Sequence, residues 1–363
     1  MHRWQAPQRR DRRGAGPPPA RAAGRRQRPA PRSGARVRIV AFGGGTGLSA
    51  SLRALRSGLA YTASGRPVRT RPEITAVVTV GDNGGSSGRL RMERGALPVG
   101  DLRQALAALA ASDPVSTRSA QLFQHRFAGS DALAGHPVGN LVLLGLLEQL
   151  ADPVKALDHA AAMLRAEGRV LPMCRQPVTI EADIRGGDPA RPDAIVTVRG
   201  QHEVAVAPGV IDQVRLVPPA PAACAEAVAA VTAADWLIFG PGSWYTSVIP
   251  HLLVPGLAEA ILASRARRIV TLNLANDTET GGLSHADHLG ALTRYLGDFR
   301  ADIVLADAKA VEDPDPVASA AECLGARLVL ADVAVGKGVP SHDPAALGAA
   351  LGPLLRSRRS RSR

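Results

Sequence analysis

Apolar residues follow two alternating periods along this chain. Short, nearly continuous apolar runs at 37–42 (VRIVAF), 74–80 (ITAVVTV) and 236–239 (WLIF) have the length and β-branched content of buried strands. Similar runs at 268–274, 303–306 and 327–330 add further strands. Between them, apolar positions recur at helical spacing, as at Leu48, Leu52, Leu55 and Leu59. Helices are also expected at 102–111, in a stretch reaching 126, at 139–150, from 153 to about 167, and at 222–233. Asp101 reads as an N-cap for the helix over 102–111, and Asp152-Pro153 as a cap followed by a first-turn proline. In the middle, 178–184 and 194–198 alternate apolar and polar residues, and 203–207 and 214–217 continue the strand-like character. The expected fold is α/β: a doubly wound, mostly parallel Rossmann-like sheet with a small β-rich insertion over about 175–218.

Three loops follow apolar strands and are rich in glycine. The first, Gly43, Gly44, Gly45, Thr46 and Gly47, turns from a strand into a helix. Glycine lets such a backbone turn sharply and approach a ligand closely, and the helix N-terminus supplies free N–H donors and partial positive charge for a phosphate. No Lys-Ser/Thr pair follows these glycines, so this is not the loop that cradles the β- and γ-phosphates of ATP, nor is it a strict GxGxxG. Alone it serves equally well as a tight βα turn. The second loop holds Gly81, Asp82, Asn83, Gly84, Gly85, Ser86, Ser87 and Gly88, and the third Gly240, Pro241, Gly242 and Ser243. In a doubly wound sheet all three can converge on one crevice at the carboxyl ends of the strands.

Asp82 lies just past a strand, where a carboxylate accepts bonds from ribose hydroxyls, binds magnesium, or closes an Asx turn. Ser86 and Ser87 either donate to phosphate or cap the next turn. Arg89, Arg91 and Arg94 either offset phosphate charge or are solvated. His136, at a helix start before Asn140, is placed for an acid, base or ligand contact, or simply ties down its loop. His285 and His288 are spaced i, i+3, yet no third zinc ligand accompanies them. Catalytic candidates are therefore Asp82, Asp101 and His136, and binding is better supported than chemistry.

A net charge of +12 and pI near 10.9 suggest a nucleic-acid partner. That charge divides into +10 over residues 1–36, +5 over 356–363 and −3 over the body. The basic segments, taken as tails over 1–36 and 351–363, are poor in large apolar residues, so they are expected to be disordered, with one domain between them over 37–350. Pro17-Pro18-Pro19 spoils the amphipathic helix of a transit peptide, so the first tail is expected to be an unconstrained extension. No specific nucleic-acid site is expected. Cys174, Cys224 and Cys323 are odd in number and lack a CxxC pair, as suits a reducing cytoplasm. No apolar run reaches the length of a membrane span.

The motifs GGGTGLS (43–49), TVGDNGGSSGRLR (79–91), VGDLRQALAALA (99–110), LFQHRF (122–127), AGHPVGNL (134–141), GRVLP (168–172), GPGSWYTSVIPHLLVPGLAEA (240–260) and ADHL (286–289) together resemble the YvcK-like gluconeogenesis factors. That family is related to the CofD-like 2-phospho-L-lactate transferases. The resemblance runs from residue 37 to about 343 and implies a modified Rossmann-like fold. It further implies a cytoplasmic regulator that binds a nucleotide sugar such as UDP-N-acetylglucosamine and serves cell shape, cell-wall supply and growth on gluconeogenic carbon. Self-association and protein partners in cell-wall synthesis are further expectations. The transferase relatives use a guanosine-linked donor and magnesium, which is the alternative activity.

By that resemblance, Gly44, Gly45, Thr46 and Gly47 hold a diphosphate. Asp82, Asn83, Gly84, Gly85, Ser86 and Ser87 line the nucleotide crevice, and Asn140, Gly242, Ser243 and Tyr245 close it. Three departures stand out. The family's paired Asp-Asp is Asp82-Asn83 here, which weakens a magnesium site. A family loop is altered at 276–280, and Ser341 replaces an arginine before His342-Asp343.

Overall fold

The apolar runs become strands β1 (Arg38–Gly43), β2 (Glu73–Val78), β3 (Arg169–Pro172), β4 (Thr179–Arg185), β5 (Ile195–Arg199) and β6 (Val210–Val217). They are followed by β7 (Trp236–Phe239), β8 (Arg267–Thr271), β9 (Ile303–Asp307) and β10 (Arg327–Ala331). The computed structural model describes residues 36–59, 71–188, 190–191, 193–275, 283–336 and 339–356. Helices on the first half are α1 (Gly45–Gly58), α2 (Gly85–Arg94), α3 (Gly100–Leu109), α4 (Pro114–Gln124), α5 (Val138–Leu150) and α6 (Pro153–Met163). The second half carries α7 (Gln201–Val206), α8 (Ala225–Ala233), α9 (Ile249–Leu252), α10 (Pro255–Ala263), α11 (His285–Tyr295), α12 (Pro314–Cys323) and α13 (Pro344–Arg356).

Seven strands form one parallel sheet in the order β10-β9-β8-β7-β1-β2-β3. Helices and the core they bury flank it, and Phe42 and Phe239 on neighbouring strands stack at 4.8 Å. From β1 the chain steps outward to β2 and β3, then returns beside β1 as β7 and steps the other way. The strand order therefore reverses between β1 and β7, and the loops leaving these two strands flank a crevice there. This is the doubly wound α/β fold expected, with β4, β5 and β6 forming a separate antiparallel sheet in the order β5-β4-β6.

Local chemistry explains several helix starts. Asp113, Asp152 and Asp313 each precede a proline and accept backbone N–H groups of the first turn. Asp101 is different. Val99 occupies the N-cap of α3, so Asp101 sits inside the first turn and its carboxylate turns toward the sheet. Segment 203–207, expected to be strand-like, lies largely within helix α7. Because β5 and β6 flank β4 on opposite sides, the connection between them must cross β4, and a short helix provides the crossing.

Two boundaries also move. Helix α6 ends at Met163 rather than near 167. Residues 351–356, assigned to a tail, continue α13, which buries Leu347, Leu351, Leu354 and Leu355. Gly58 and Gly348 let α1 and α13 meet closely: a Cβ on Gly58 would lie 2.2 Å from the Gly348 carbonyl oxygen. Among the described residues no single helix is long and apolar enough to cross a membrane. The three cysteines carry free thiols.

Candidate functional site

At the end of β1, Gly44 forms the extended N-cap of α1 and Gly45 adopts a positive φ of 56°. The Gly44 backbone lies against an acidic side chain, since a Cβ there would fall 2.3 Å from Asp101 Oδ2 and 2.9 Å from Thr79 Oγ1. Asp101 accepts the Gly45 N–H, and Thr79 Oγ1 donates to Asp101 Oδ2 at 3.4 Å. Burial, with help from the negative charge of Asp82, pushes the Asp101 carboxyl up to about 7. One side of the first glycine loop thus faces a carboxyl group that titrates near neutrality.

Asp82 is the neighbouring acid. Its Oδ1 accepts the Gly84 N–H at 2.8 Å, and Ser87 hydrogen-bonds to the same carboxyl. Its Oδ2 lies against Gly100, where a Cβ would come within 2.9 Å. Burial raises the Asp82 pKa, while the bonds from Gly84 and Ser87 and the charge of Arg91 oppose the rise. Ser87 Oγ also accepts the Gly100 N–H at 3.1 Å. The carboxylate that accompanies Asp82 here is therefore Asp101, brought in by α3.

Asn83 points elsewhere. It accepts the His202 N–H at 2.9 Å and donates to Glu203 Oε2 at 2.6 Å, tying the second loop to α7. Gln201 donates to the Thr246 carbonyl at 3.1 Å, so α7 bridges the second loop and the helical turn that follows the third. The lobe of β4, β5 and β6 thereby joins the wall of the crevice.

The third loop packs on the other side of the first. A Cβ on Gly47 would lie 2.3 Å from the Pro241 carbonyl oxygen, so only glycine permits this approach. Ser51 Oγ donates to the Gly240 carbonyl at 3.1 Å. Asn273, just past β8, donates to the Gly242 carbonyl at 3.0 Å and accepts its N–H at 2.9 Å. This two-bond clamp holds the loop. Between the loops lies a cavity of about 120 Å³ lined by Thr46, Gly47, Pro241, Gly242, Ser243, Asn273 and the 340–342 segment. That space admits a phosphoryl group, and the cavity opens to the surface.

The remaining candidates lie outside this lining. Ser86 Oγ contacts His136 Nδ1 at 2.7 Å and accepts from Asn140 Nδ2 at 2.9 Å. Tyr245 lies in a π-helical turn over Trp244–Val248, its ring edge-on to Tyr295 at 6.4 Å. His285 donates from Nε2 to the Asn273 carbonyl at 3.0 Å, whereas His288 is fully buried against Trp244 at 5.6 Å. Burial holds His288 down at about 4 and keeps it neutral. Arg89 donates to the Ala134 carbonyl and Arg91 to Thr179, so both serve the scaffold. Arg94 pairs at the surface with Glu148. Segment 276–280 lies outside the described residues.

Among the described residues, no group of three or more His, Cys, Asp or Glu could hold a metal. Two carboxylates do suit magnesium, which takes one or two from protein and completes its shell with water and substrate phosphates. The pair Asp82 and Asp101 fits that donor set. Sequence reading missed Asn273 and Thr79. Asn273 carried a usable signal, a polar side chain just past the apolar run of β8, as Asp82 does past β2.

A crevice at the switch point of a parallel sheet, walled by glycine loops, is the arrangement of a Rossmann-like α/β protein. The family model for 2-phospho-L-lactate transferase CofD matches residues 39–335. The chain is 49% identical over 317 residues to the "Putative gluconeogenesis factor" of Mycobacterium tuberculosis, covering 86% of this chain and 89% of the relative. It is 35% identical over 301 residues to the "Gluconeogenesis factor" of Bacillus subtilis, covering 83% and 87%. A crystal structure of a upf0052 family member from Bacillus halodurans superposes with a TM-score of 0.74 at 32% identity, covering 89% of this chain and 99% of that one. The chain belongs to the CofD-like family, among its gluconeogenesis factors.

Proposed function

We propose that the protein is a cytoplasmic regulator that binds a nucleotide sugar such as UDP-N-acetylglucosamine, serving cell shape and growth on gluconeogenic carbon. The observation that carries this reading is the phosphoryl-sized cavity between the first turn of α1 and the clamped third loop. Thr46 and Gly47 present helix N-terminal N–H groups there, which favour an anion. The nucleoside and sugar extend along the open crevice to either side. A ligand specific for the native state stabilises it by about 2.7 kcal/mol at a hundredfold excess over Kd. UDP-N-acetylglucosamine is therefore expected to raise the melting temperature of the chain. No shift with any UDP-sugar at millimolar concentration overturns the reading.

The Asp82–Asp101 pair favours one second reading, a phospholactate-type transferase. Mg²⁺ held by these carboxylates would neutralise diphosphate charge. Phospholactyl transfer from a guanosine-linked donor, lost in Asp82→Ala, would support that reading over a purely binding role.

A further inference from the structure

Four polar side chains from α2, α3, α5 and the residues preceding α5 form one buried line. Arg103 Nε donates to Asn140 Oδ1 at 2.8 Å, Asn140 Nδ2 to Ser86 Oγ at 2.9 Å, and Ser86 Oγ meets His136 Nδ1 at 2.7 Å. None of the four is more than 6% exposed. The line has a direction. A guanidinium can only donate, so the Asn140 atom facing it is the carbonyl oxygen, and its NH₂ must face Ser86. The Ser86 oxygen is then an acceptor toward Asn140; a second lone pair remains, but among the described residues its one proton has no acceptor other than His136 Nδ1, and burial penalises an unpaired hydroxyl. Nδ1 of His136 must therefore be unprotonated, and the ring proton sits on Nε2. That Nε2 has no hydrogen-bond partner among the described residues and is not sealed from the surface.

We propose that His136 is a ligand-binding residue of the crevice, offering Nε2–H as a fixed neutral donor to a phosphoryl oxygen. Ser86, Asn140 and Arg103 are positioning residues that set its tautomer. Ser86 stands in the first turn of α2, directly before Ser87, which holds Asp82, so the imidazole belongs to the second-loop side of the site. The charged groups facing the ring are Arg89 and Glu93 on α2 and Arg126 ahead of α5. Burial and the two arginines hold its pKa below the usual value, against the opposing Glu93, which keeps the ring neutral at pH 7. The nature of the ligand rests on the function proposed above; the direction of the line does not.

Substituting Asn140→Asp tests the direction. A carboxylate accepts from both Arg103 and the Ser86 hydroxyl, so the Ser86 proton swings away and its lone pairs face His136. In ¹⁵N NMR of the full chain, wild type is expected to show the Nε2–H tautomer from pH 7 to 8. Asn140→Asp is expected to show protonated Nδ1, and Ser86→Thr, which keeps the hydroxyl, should retain the wild-type signature. With UDP-N-acetylglucosamine and inorganic pyrophosphate as probes, His136→Ala should weaken binding about tenfold, the loss of one hydrogen bond to a charged group. A wild-type Nδ1–H tautomer overturns the proposal. So does unchanged probe affinity in His136→Ala. Failure of the wild-type chain to bind either probe instead overturns the function on which the ligand assignment rests.

Discussion

Asp101 illustrates what a single residue does here. A carboxyl placed against Gly44 and Gly45 cannot be solvated as it would be in the unfolded chain, and Asp82 adds a like charge. Its pKa rises from 3.8 to about 7 on folding. The folded state therefore binds more protons than the unfolded state between these values, and this group lowers stability as pH rises through that window. Comparing urea midpoints of wild type and Asp101→Asn from pH 4 to 8, the variant should gain relative stability by up to about 1.4 kcal/mol per pH unit up to pH 7. A constant difference across that range would show that Asp101 is not the titrating group. The sequence made Asp101 visible as an acid at a helix start. It could not reveal that the side chain turns inward, because that depends on α3 lying beside the first loop.

At the scale of elements, the glycine loops themselves were legible, because glycine clusters after apolar runs mark sharp turns and close backbone approach. Which loops touch was not legible. The Gly47 contact with Pro241 joins positions far apart in the chain, and the clamp that stabilises it comes from Asn273 on a third strand. Gly47→Ala should destabilise the protein by at least about 2 kcal/mol, because the clashing atoms are backbone and cannot swing aside. It should also abolish the thermal shift with UDP-N-acetylglucosamine. A variant with wild-type melting temperature and ligand response would contradict the close approach. Helix α7 shows the converse problem. Its sequence has strand-like character, but the segment runs as a short helix between the two edges of the small sheet.

At the scale of the whole molecule, α13 closes the fold by packing on α1, the helix that carries the first glycine loop. Deleting 357–363 should leave the melting temperature unchanged. Deleting 351–363 removes buried Leu351, Leu354 and Leu355 and should cost more than about 5 kcal/mol, read from urea unfolding. Equal stability of the two truncations would show that the end of α13 contributes nothing. Composition alone placed this boundary too early, since the arginine-rich run begins inside the last turn of the helix.

By itself the sequence determined the alternation of strands and helices, the glycine loops, the location of the basic charge at the ends and the family resemblance. These follow from local spacing and residue type, which need no knowledge of distant neighbours. The tertiary structure alone decided the reversal of strand order between β1 and β7, and that Asp101 stands beside Asp82. It also decided that Asn83 serves the lobe and that Arg103, Asn140, Ser86 and His136 form one directed line. These facts depend on which surfaces are buried together, and burial is what sets both the direction of a hydrogen bond and the proton affinity of a carboxyl group.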